Sequence, residues 1–312
     1  MELVLPGSRD DIVAGFLVAL FRPLSWRKRA DSAIISGKMP ADLHIHTNQS
    51  DGTFSPEETV KLAAQGGLKT ISLTDHDNVD GIEKAVQVGA EAGIEVIPGI
   101  ELTTETAHAE VHILGYYLDH RAPRLLEVLE KIQKSRVERI HGIVAKLQAL
   151  GVAIEADEVF ALSGEKSPGR PHVARVLIKK GVVGNFREAF KRFLDFRAPA
   201  YLPHFKLAPG EAIKLIRSVG GIAVFAHPAI SNADELIPGM IADGLRGIEA
   251  YYISHYADQV DYYVKLARKE GLLMTGGSDF HGEDSGRESK LGDFSIPDEL
   301  VDKLRDEHLR GN

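Results

Sequence analysis

Two hydrophobic periods take turns along this chain. Short apolar runs at 70–74, 94–100, 111–117, 222–226, 245–252 and 272–276 predict buried strands. The stretch Asp42-Leu43-His44-Ile45-His46-Thr47 reads as the first strand of the set. Side chains alternate along an extended strand, so Leu43 and Ile45 take one face and His44 and His46 the other. Between the strands come helix signals. Ser55-Pro56-Glu57-Glu58 offers an N-cap, a proline at the first helical position and a capping-box acid, and Gly66-Gly67 closes that helix. A second helix is expected over 79–92, stopping at Gly93; Pro209 opens another that ends at Gly220-Gly221; and 297–309 reads as a polar terminal helix.

Strand and helix in alternation are the mark of a parallel α/β architecture. The alternation lapses over 121–198, where a long helix at 123–150 and shorter ones around Ala156, Pro171 and Asn185 predict a helical insertion over one end of the molecule. The expected organisation is an N-terminal extension at 1–40, a barrel from 41–120 and 199–295, the insertion at 121–198, and a C-terminal helix at 296–312. Seven strands with intervening helices predict a closed or nearly closed α/β barrel, with its active site at the C-terminal mouth of the strands.

Composition narrows the chemistry. The 312 residues include no cysteine. That removes disulfides, thiolate metal sites and a Cys nucleophile, and it suits a cytoplasmic location. Any metal must be held by nitrogen and oxygen. A net charge of −8 argues against a broad surface that grips long nucleic acid, leaving a short or mononucleotide-sized ligand open. No apolar run approaches the roughly 20 residues that cross a bilayer. The nearest candidate, 14–21, follows Asp10 and Asp11 and precedes Arg22, Arg27, Lys28 and Arg29, the reverse of a secretory signal's charge order. It is expected to be an amphipathic helix in an extension of unknown role, with contact to a partner or a membrane surface as the sharper reading.

Metal-ligand residue types gather where strands end. His44 and His46 leave the first strand with Asp51 close behind; His76, Glu101, His227, and then Asp279 and His281, follow later strands. His112 breaks the rule by lying near the start of the fourth strand. Six of these nine residues are histidines, from a total of 13. A random scatter would not favour strand ends so consistently. Histidine and carboxylate without sulfur suit Zn, Mn or Fe. Nine ligands are too many for one ion and suit two to three divalent ions sharing a bridging carboxylate.

Taken in order, Asp42-Leu43-His44-Ile45-His46-Thr47, Leu73-Thr74-Asp75-His76-Asp77, Gly99-Ile100-Glu101, His112-Ile113-Leu114-Gly115-Tyr116, Ala226-His227-Pro228 and Gly277-Ser278-Asp279-Phe280-His281 resemble the PHP (polymerase and histidinol phosphatase) superfamily of metal-dependent phosphoesterases. The resemblance covers about residues 41–292. It implies a distorted (β/α)7 barrel and a trinuclear site in which His44, His46, Glu101 and Asp279 hold one ion. Glu101, His112 and His227 would hold a second, and Asp51, His76 and His281 a third, although some members have histidine where this chain has Asp51. Metal-bound water, its pKa lowered from about 15.7 towards 7, would supply hydroxide for attack on phosphorus. Glu101, Asp279 and His227 are the ligands on which that chemistry would depend. Asp75 and Asp77 would either orient His76 or cap the next helix.

Gly169-Arg170-Pro171-His172 opens a helix in the insertion, and a helix N-terminus with an arginine can clamp a phosphate. The plainer reading is a solvated helix start. Arg-Pro-His at this place resembles the PHP subgroup that removes the 3′-phosphate from 3′,5′-nucleoside bisphosphates and trims short RNA from its 5′ end. That resemblance implies substrate contacts from Arg170 and His172, with Lys206 and His255 as further candidates; His204 stands where arginine is more usual. His108, His120, His141 and His308 match no motif and are expected at the surface. The leading expectation is a phosphatase acting on a small phosphorylated nucleotide. Alternatives are a histidinol-phosphate phosphatase, an exonuclease on longer RNA, which the acidic composition counts against, and a non-catalytic PHP module.

Overall fold

Seven strands run in strict sequence order around one sheet: β1 (Ala41–Ile45), β2 (Thr70–Leu73), β3 (Glu95–Glu105), β4 (Glu110–Tyr116), β5 (Ile222–Phe225), β6 (Gly247–Tyr252) and β7 (Leu273–Gly277). The computed structural model describes residues 41–106, 109–163, 167–283, 285 and 289–311. The extension at 1–40, with its expected helix at 14–21, and His108 lie outside the described residues. Beyond β7 the chain returns to β1, where the His46 N–H donates to the Phe280 carbonyl at 2.8 Å, and this bridge nearly closes the barrel.

The barrel departs from an all-parallel arrangement at one strand. β4 runs antiparallel to both β3 and β5, while every other neighbouring pair is parallel. The start of a reversed strand lies at the same mouth as the ends of the others, so His112 obeys the geometric rule that it broke in sequence. β3 also differs from its expected span. It runs for 11 residues, past the mouth, because antiparallel β4 pairs with it as far as Glu105↔Glu110 and satisfies its backbone groups. Glu101 is therefore delivered from mid-strand rather than from a strand end.

On the outer face, α1 (Pro56–Gln65) begins with the expected capping box between Ser55 and Glu58. With α2 (Ile82–Ala92) it buries Val60, Ala63, Ala85 and Val88 against Ile45, Ile71 and Leu73. Between β4 and β5 come α3 (Pro123–Ala149), α4 (Ala156–Ser163), α5 (Arg170–Lys179) and α6 (Phe186–Ala189), the last continuing into a π-turn at Phe190–Leu194. These helices enclose an apolar cluster of their own that includes Ile140, Ile143, Leu147, Val173, Leu177 and Leu194. The remaining helices are α7 (Pro209–Ser218), α8 (Pro228–Ser231), α9 (Ile237–Asp243), α10 (Ala257–Glu270) and α11 (Asp298–Gly311). α11 packs Leu300, Val301 and Leu304 with Leu43, Leu114 and Val224. No helix among the described residues is long and apolar enough to cross a membrane.

A buried ion pair fastens the helical segment to the barrel. Arg136 of α3 contacts Asp77 through both Nε, at 3.0 Å, and Nη2, and it donates to Thr103 Oγ1 at 3.1 Å. Asp77 also accepts the Thr103 N–H at 3.0 Å. Asp75 accepts from Thr47 N and Oγ1, each at 2.7 Å, and from Ser50 Oγ at 2.6 Å. Both acids flanking His76 are thus spent on holding other segments, one on α3 and the other on the loop that carries Asp51. Neither orients His76 nor caps a helix, as the sequence led us to expect.

Truncating Asp77 to alanine strands the Arg136 guanidinium in a nearly water-free place. Urea unfolding of D77A is expected to show a loss of about 3–5 kcal/mol, whereas a loss below about 1 kcal/mol would mean that this pair does not hold the helical segment.

Candidate metal centre

Strand β1 supplies His44 and His46, both fully buried. The end of β7 comes so close to it that a Cβ on Gly277 would lie 2.5 Å from the backbone nitrogen and Cβ of His44, so only glycine fits there. On the same face of β1, Asp42 accepts from Ser278 N at 2.9 Å, Ser278 Oγ at 2.6 Å and Gly292 N at 2.9 Å. The loop bearing Asp279 and His281 is thereby tied to the strand bearing His44. Burial pushes the Asp42 carboxyl up to about 6 despite these bonds. The backbones of His227 (φ 27°) and Asp279 (φ 48°), just past β5 and β7, sit in the left-handed region that non-glycine residues rarely adopt. Such conformations cost on the order of 1–3 kcal/mol each and persist where surrounding contacts hold them.

Glu101 is the hub. Its Oε2 lies 3.3 Å from His44 Nε2, 3.1 Å from His46 Nε2 and 3.2 Å from His76 Nδ1. Its Oε1 lies 2.8 Å from His112 Nδ1 and 3.0 Å from His227 Nε2. Asp279 Oδ1 is 3.5 Å from His44 Nε2, 3.2 Å from His46 Nε2 and 3.4 Å from His281 Nδ1, while Oδ2 accepts the Tyr252 hydroxyl at 2.6 Å. Asp51 Oδ1 stands 3.2 Å from His281 Nε2. All nine residues singled out in the sequence converge here. Among the described residues they form four groups whose ligand atoms lie within 4.8 Å of one another: His44, His46 and Asp279; His44, Glu101 and His227; His76, Glu101 and His112; and His46, Asp51, His76 and His281. The two Glu101 oxygens divide the histidines much as a bridging carboxylate would. The sets are less separate than expected, because His44, His46 and His76, besides the bridging Glu101, each stand in two of them.

The donor chemistry fits divalent cations. His44 Nε2 and His46 Nε2 face each other at 3.2 Å, and five imidazole nitrogens crowd one carboxylate. Asp51 Oδ1, His281 Nε2 and His227 Nδ1 are buried with no hydrogen-bond partner among the described residues. So many lone pairs aimed at one volume cannot all be met by the few protons that neutral imidazoles carry. Cations bound by nitrogen and oxygen would meet them, and Zn, Mn and Fe suit this set. Burial alone would raise the Glu101 carboxyl, yet His76, His112 and His44 hold it well below the usual carboxylate range.

A cavity of about 190 Å³ opens beside the cluster. Asp51, His76 and His112 line it together with Arg136, Arg139, Arg170 and His204. Arg170 contacts Glu110 Oε1 at 3.4 Å and lies over the rings of Phe190 and Tyr201. Arg139, 6% exposed, donates from Nε to the Leu202 carbonyl at 2.6 Å, while its Nη2 has no hydrogen-bond partner among the described residues. Burial, then Arg170 and Arg136, lower the Arg139 pKa to about 10. Burial, then Arg136 and Arg139, pull His204 down to about 2, and neither of its ring nitrogens has a hydrogen-bond partner among the described residues.

Of the four substrate contacts expected from sequence, Arg170 alone lines this cavity. His172 is buried and accepts the Gly169 N–H at 3.1 Å, which caps α5. Lys206 pairs with Glu110 and, at 3.5 Å, with Glu105, leaving its side chain 2% exposed. His255 hydrogen-bonds through Nδ1 with the Ala250 carbonyl at 3.1 Å and packs behind Tyr252. Among the residues expected at the surface, His141 is exposed, His120 is partly buried and His308 stacks on Tyr117. Arg136 and Arg139 escaped notice because a charged pair three apart on a long helix looks solvated. Glu249, which meets His44 Nδ1 at 2.9 Å, carried a usable signal: a lone carboxylate inside an apolar strand run.

Residues 42–195 match the family model described as PHP domain. The chain is 33% identical over 251 residues to the 3′,5′-nucleoside bisphosphate phosphatase of Chromobacterium violaceum, covering 78% of this chain and 88% of that one. The chain belongs to the PHP family. A 5′-3′ exoribonuclease of Haemophilus influenzae is 35% identical over 246 residues (77% and 89% covered), and the phosphoribosyl 1,2-cyclic phosphate 1,2-diphosphodiesterase of Eggerthella lenta is 27% identical over 279 (83% and 100%). Among solved structures, an amidohydrolase from C. violaceum with bound sulfate superposes with a TM-score of 0.78 at 30% identity (86% and 96%). A Bifidobacterium adolescentis protein assigned by inference as a metal-dependent phosphoesterase gives 0.79 at 30% (85% and 95%). This PHP chain is a metal-dependent phosphoesterase, a hydrolase of phosphoric esters.

The His204 ring makes a titration visible. In the unfolded chain it takes up a proton near its ordinary 6.5, but in the folded chain only near 2. The unfolded state therefore binds more protons between these values, and stability falls as pH drops below about 6.5. In phosphate-free buffer, H204N is expected to lose less unfolding free energy than the wild type between about pH 7 and 5; equal losses would show that the folded ring is already protonated.

Proposed function

We propose that this PHP protein hydrolyses a phosphate monoester on a small nucleotide that carries a second phosphate, turning a 3′,5′-nucleoside bisphosphate into the 5′-monophosphate and phosphate. The observation that carries this reading is one cavity of about 190 Å³ shared by the histidine–carboxylate cluster and three arginines. Glu110 and Asp77 answer Arg170 and Arg136, but Arg139 Nη2 has no hydrogen-bond partner among the described residues, so the pocket has a buried cationic donor to offer. A phosphate supplies what is missing, and guanidinium groups match its geometry. The name of the C. violaceum relative, a 3′,5′-nucleoside bisphosphate phosphatase, agrees with a substrate of this kind. The H. influenzae relative's name supports short RNA 5′ ends as a further substrate of the same cavity.

In this reading the two halves divide the work. His44, His46, Asp51, His76, Glu101, His112, His227, Asp279 and His281 come from the barrel and hold two to three divalent ions. Arg136, Arg139 and Arg170 come from the helical segment at 121–198, which serves as a substrate cap. When bound, such ions supply Lewis acidity at phosphorus and acidify water. Glu101 spans two histidine sets through its separate oxygens, and Asp279 and His227 complete them. The cap arginines hold the non-reacting phosphate and so fix where the reacting one lies, which is most of what phosphoryl transfer asks of a protein. His172 acts through α5, the helix that also carries Arg170. Lys206 helps to neutralise Glu110.

Phosphate release tests the proposal. Turnover of a nucleoside 3′,5′-bisphosphate should exceed that of histidinol phosphate, and the reverse order would favour a histidinol-phosphate phosphatase. R139A should lose roughly 10- to 150-fold in kcat/KM on the bisphosphate, the value of one charged hydrogen bond, yet little on p-nitrophenyl phosphate, which has no second phosphate. Equal losses on both substrates would place Arg139 outside the second-phosphate subsite. Replacing Glu101 with glutamine should remove most metal and most turnover together; full activity in E101Q would point to a non-catalytic module.

A further inference from the structure

Glu249 lies in the middle of β6, fully buried, in the run Gly247-Ile248-Glu249-Ala250. A carboxylate this deep costs several kcal/mol unless its oxygens are paired. Among the described residues each oxygen has one hydrogen-bond partner, and both partners belong to the candidate metal centre. Oε1 lies 2.9 Å from His44 Nδ1, and Oε2 accepts the backbone N–H of His227 at 2.7 Å. On its other side, His44 turns Nε2 to Glu101 Oε2 at 3.3 Å and to Asp279 Oδ1 at 3.5 Å. A neutral imidazole has one N–H and one lone pair. With the N–H on Nδ1 and given to Glu249, the lone pair stands on Nε2 and faces the cluster.

The second contact works on the backbone. His227 stands at φ 27°, a conformation that relaxes unless something holds it. The 2.7 Å bond to Glu249 is such a hold, and it keeps His227 Nε2 3.0 Å from Glu101 Oε1. We propose that Glu249 is a positioning residue that sets two metal ligands at once, through the ring tautomer of His44 and the backbone angle of His227. The inference rests on the reading of the cluster as a metal centre.

Chemistry explains why glutamate is needed. Both partners are donors, so the residue must present two acceptors. Glutamine has one, and it would turn an N–H towards either the His227 N–H or His44 Nδ1–H. Aspartate keeps both acceptors but is one methylene shorter. The effect is also local: His44 and His227 share a group with Glu101, whereas Asp51, His76 and His281 make no contact with Glu249.

The test uses the full chain reconstituted with Zn²⁺ or Co²⁺. Elemental analysis after gel filtration should show E249Q carrying about one ion fewer per chain than the wild type, with the weakened site losing about 10- to 100-fold in affinity. The visible Co²⁺ spectrum should change with it, and E249D should recover part of both. Equal metal content, affinity and Co²⁺ spectrum in wild type and E249Q would overturn the proposal. A wild-type chain that takes up no ion would overturn the metal-centre reading, a result distinct from the first. A measurement on the wild type needs no variant to fold: ¹⁵N-histidine spectra of the Zn²⁺ form should show His44 with its proton on Nδ1. A proton on Nε2 would refute the positioning role.

Discussion

Buried lone pairs cannot be left facing one another, and that constraint governs this molecule. Six imidazoles and three carboxylates meet at one barrel mouth, with His44 Nε2 and His46 Nε2 at 3.2 Å and Glu101 in contact with five rings. Protons are too few and hydrogen-bond directions too restricted to satisfy such a set. Cations are the economical answer. The same requirement accounts for the supporting groups: Asp42 ties the Asp279 loop to β1, Asp75 braces the loop before Asp51, Tyr252 occupies the second oxygen of Asp279, and Glu249 takes up the far side of His44. Each of these acceptors or donors is used away from the centre, which leaves the inward atoms for a ligand.

The barrel meets the constraint by an irregularity. A uniform (β/α)7 arrangement would have carried His112 to the wrong end, but the reversal of β4 returns it to the mouth. The same reversal extends β3 and β4 as a ribbon above the mouth, with Glu105 and Glu110 at its tip. Glu110 then meets Arg170 and Lys206, so the ribbon links the barrel to the helical segment. Asp77 and Arg136 make a second link from the strand that supplies His76. The positive lining of the cavity and the ligand cluster are therefore held in one register by these charge pairs, of which Asp77–Arg136 is buried, together with Leu125 and Leu129 of α3, which pack into the barrel's apolar core.

Function follows from that juxtaposition. A chain with a net charge of −8 has little means of attracting phosphate over its whole surface, and its positive groups gather in one pocket. Burial, and then the neighbouring guanidinium groups of Arg170 and Arg136, lower the pKa of Arg139, whose Nη2 has no hydrogen-bond partner among the described residues. In the proposed reading, a substrate with two phosphates would meet both groups in one binding event, one phosphate at the arginines and one at the ligand cluster.

Much of this was legible in the order of residues. Period-two apolar runs, proline and serine caps, and the ordered motifs of histidines and carboxylates around strand ends pointed to the α/β class, the helical segment and the nine residues that converge, because these depend on local alternation and on residue chemistry. What the linear pattern did not carry was direction and depth. The residues of β4 read the same in either direction, so its reversal shows only in pairing: with adjacent β3, where Glu105 stands opposite Glu110, and with β5 more than a hundred residues distant, where Phe225 stands opposite Ile113. Lys206 and His172 look like phosphate ligands until packing shows the first neutralised by Glu110 and the second capping α5. Arg139 and Glu249 look like ordinary charges until folding removes their water. Residue type and spacing settled which groups could do the chemistry, and only tertiary burial decided which of them face the cavity, because pairing and desolvation are properties of the folded surroundings.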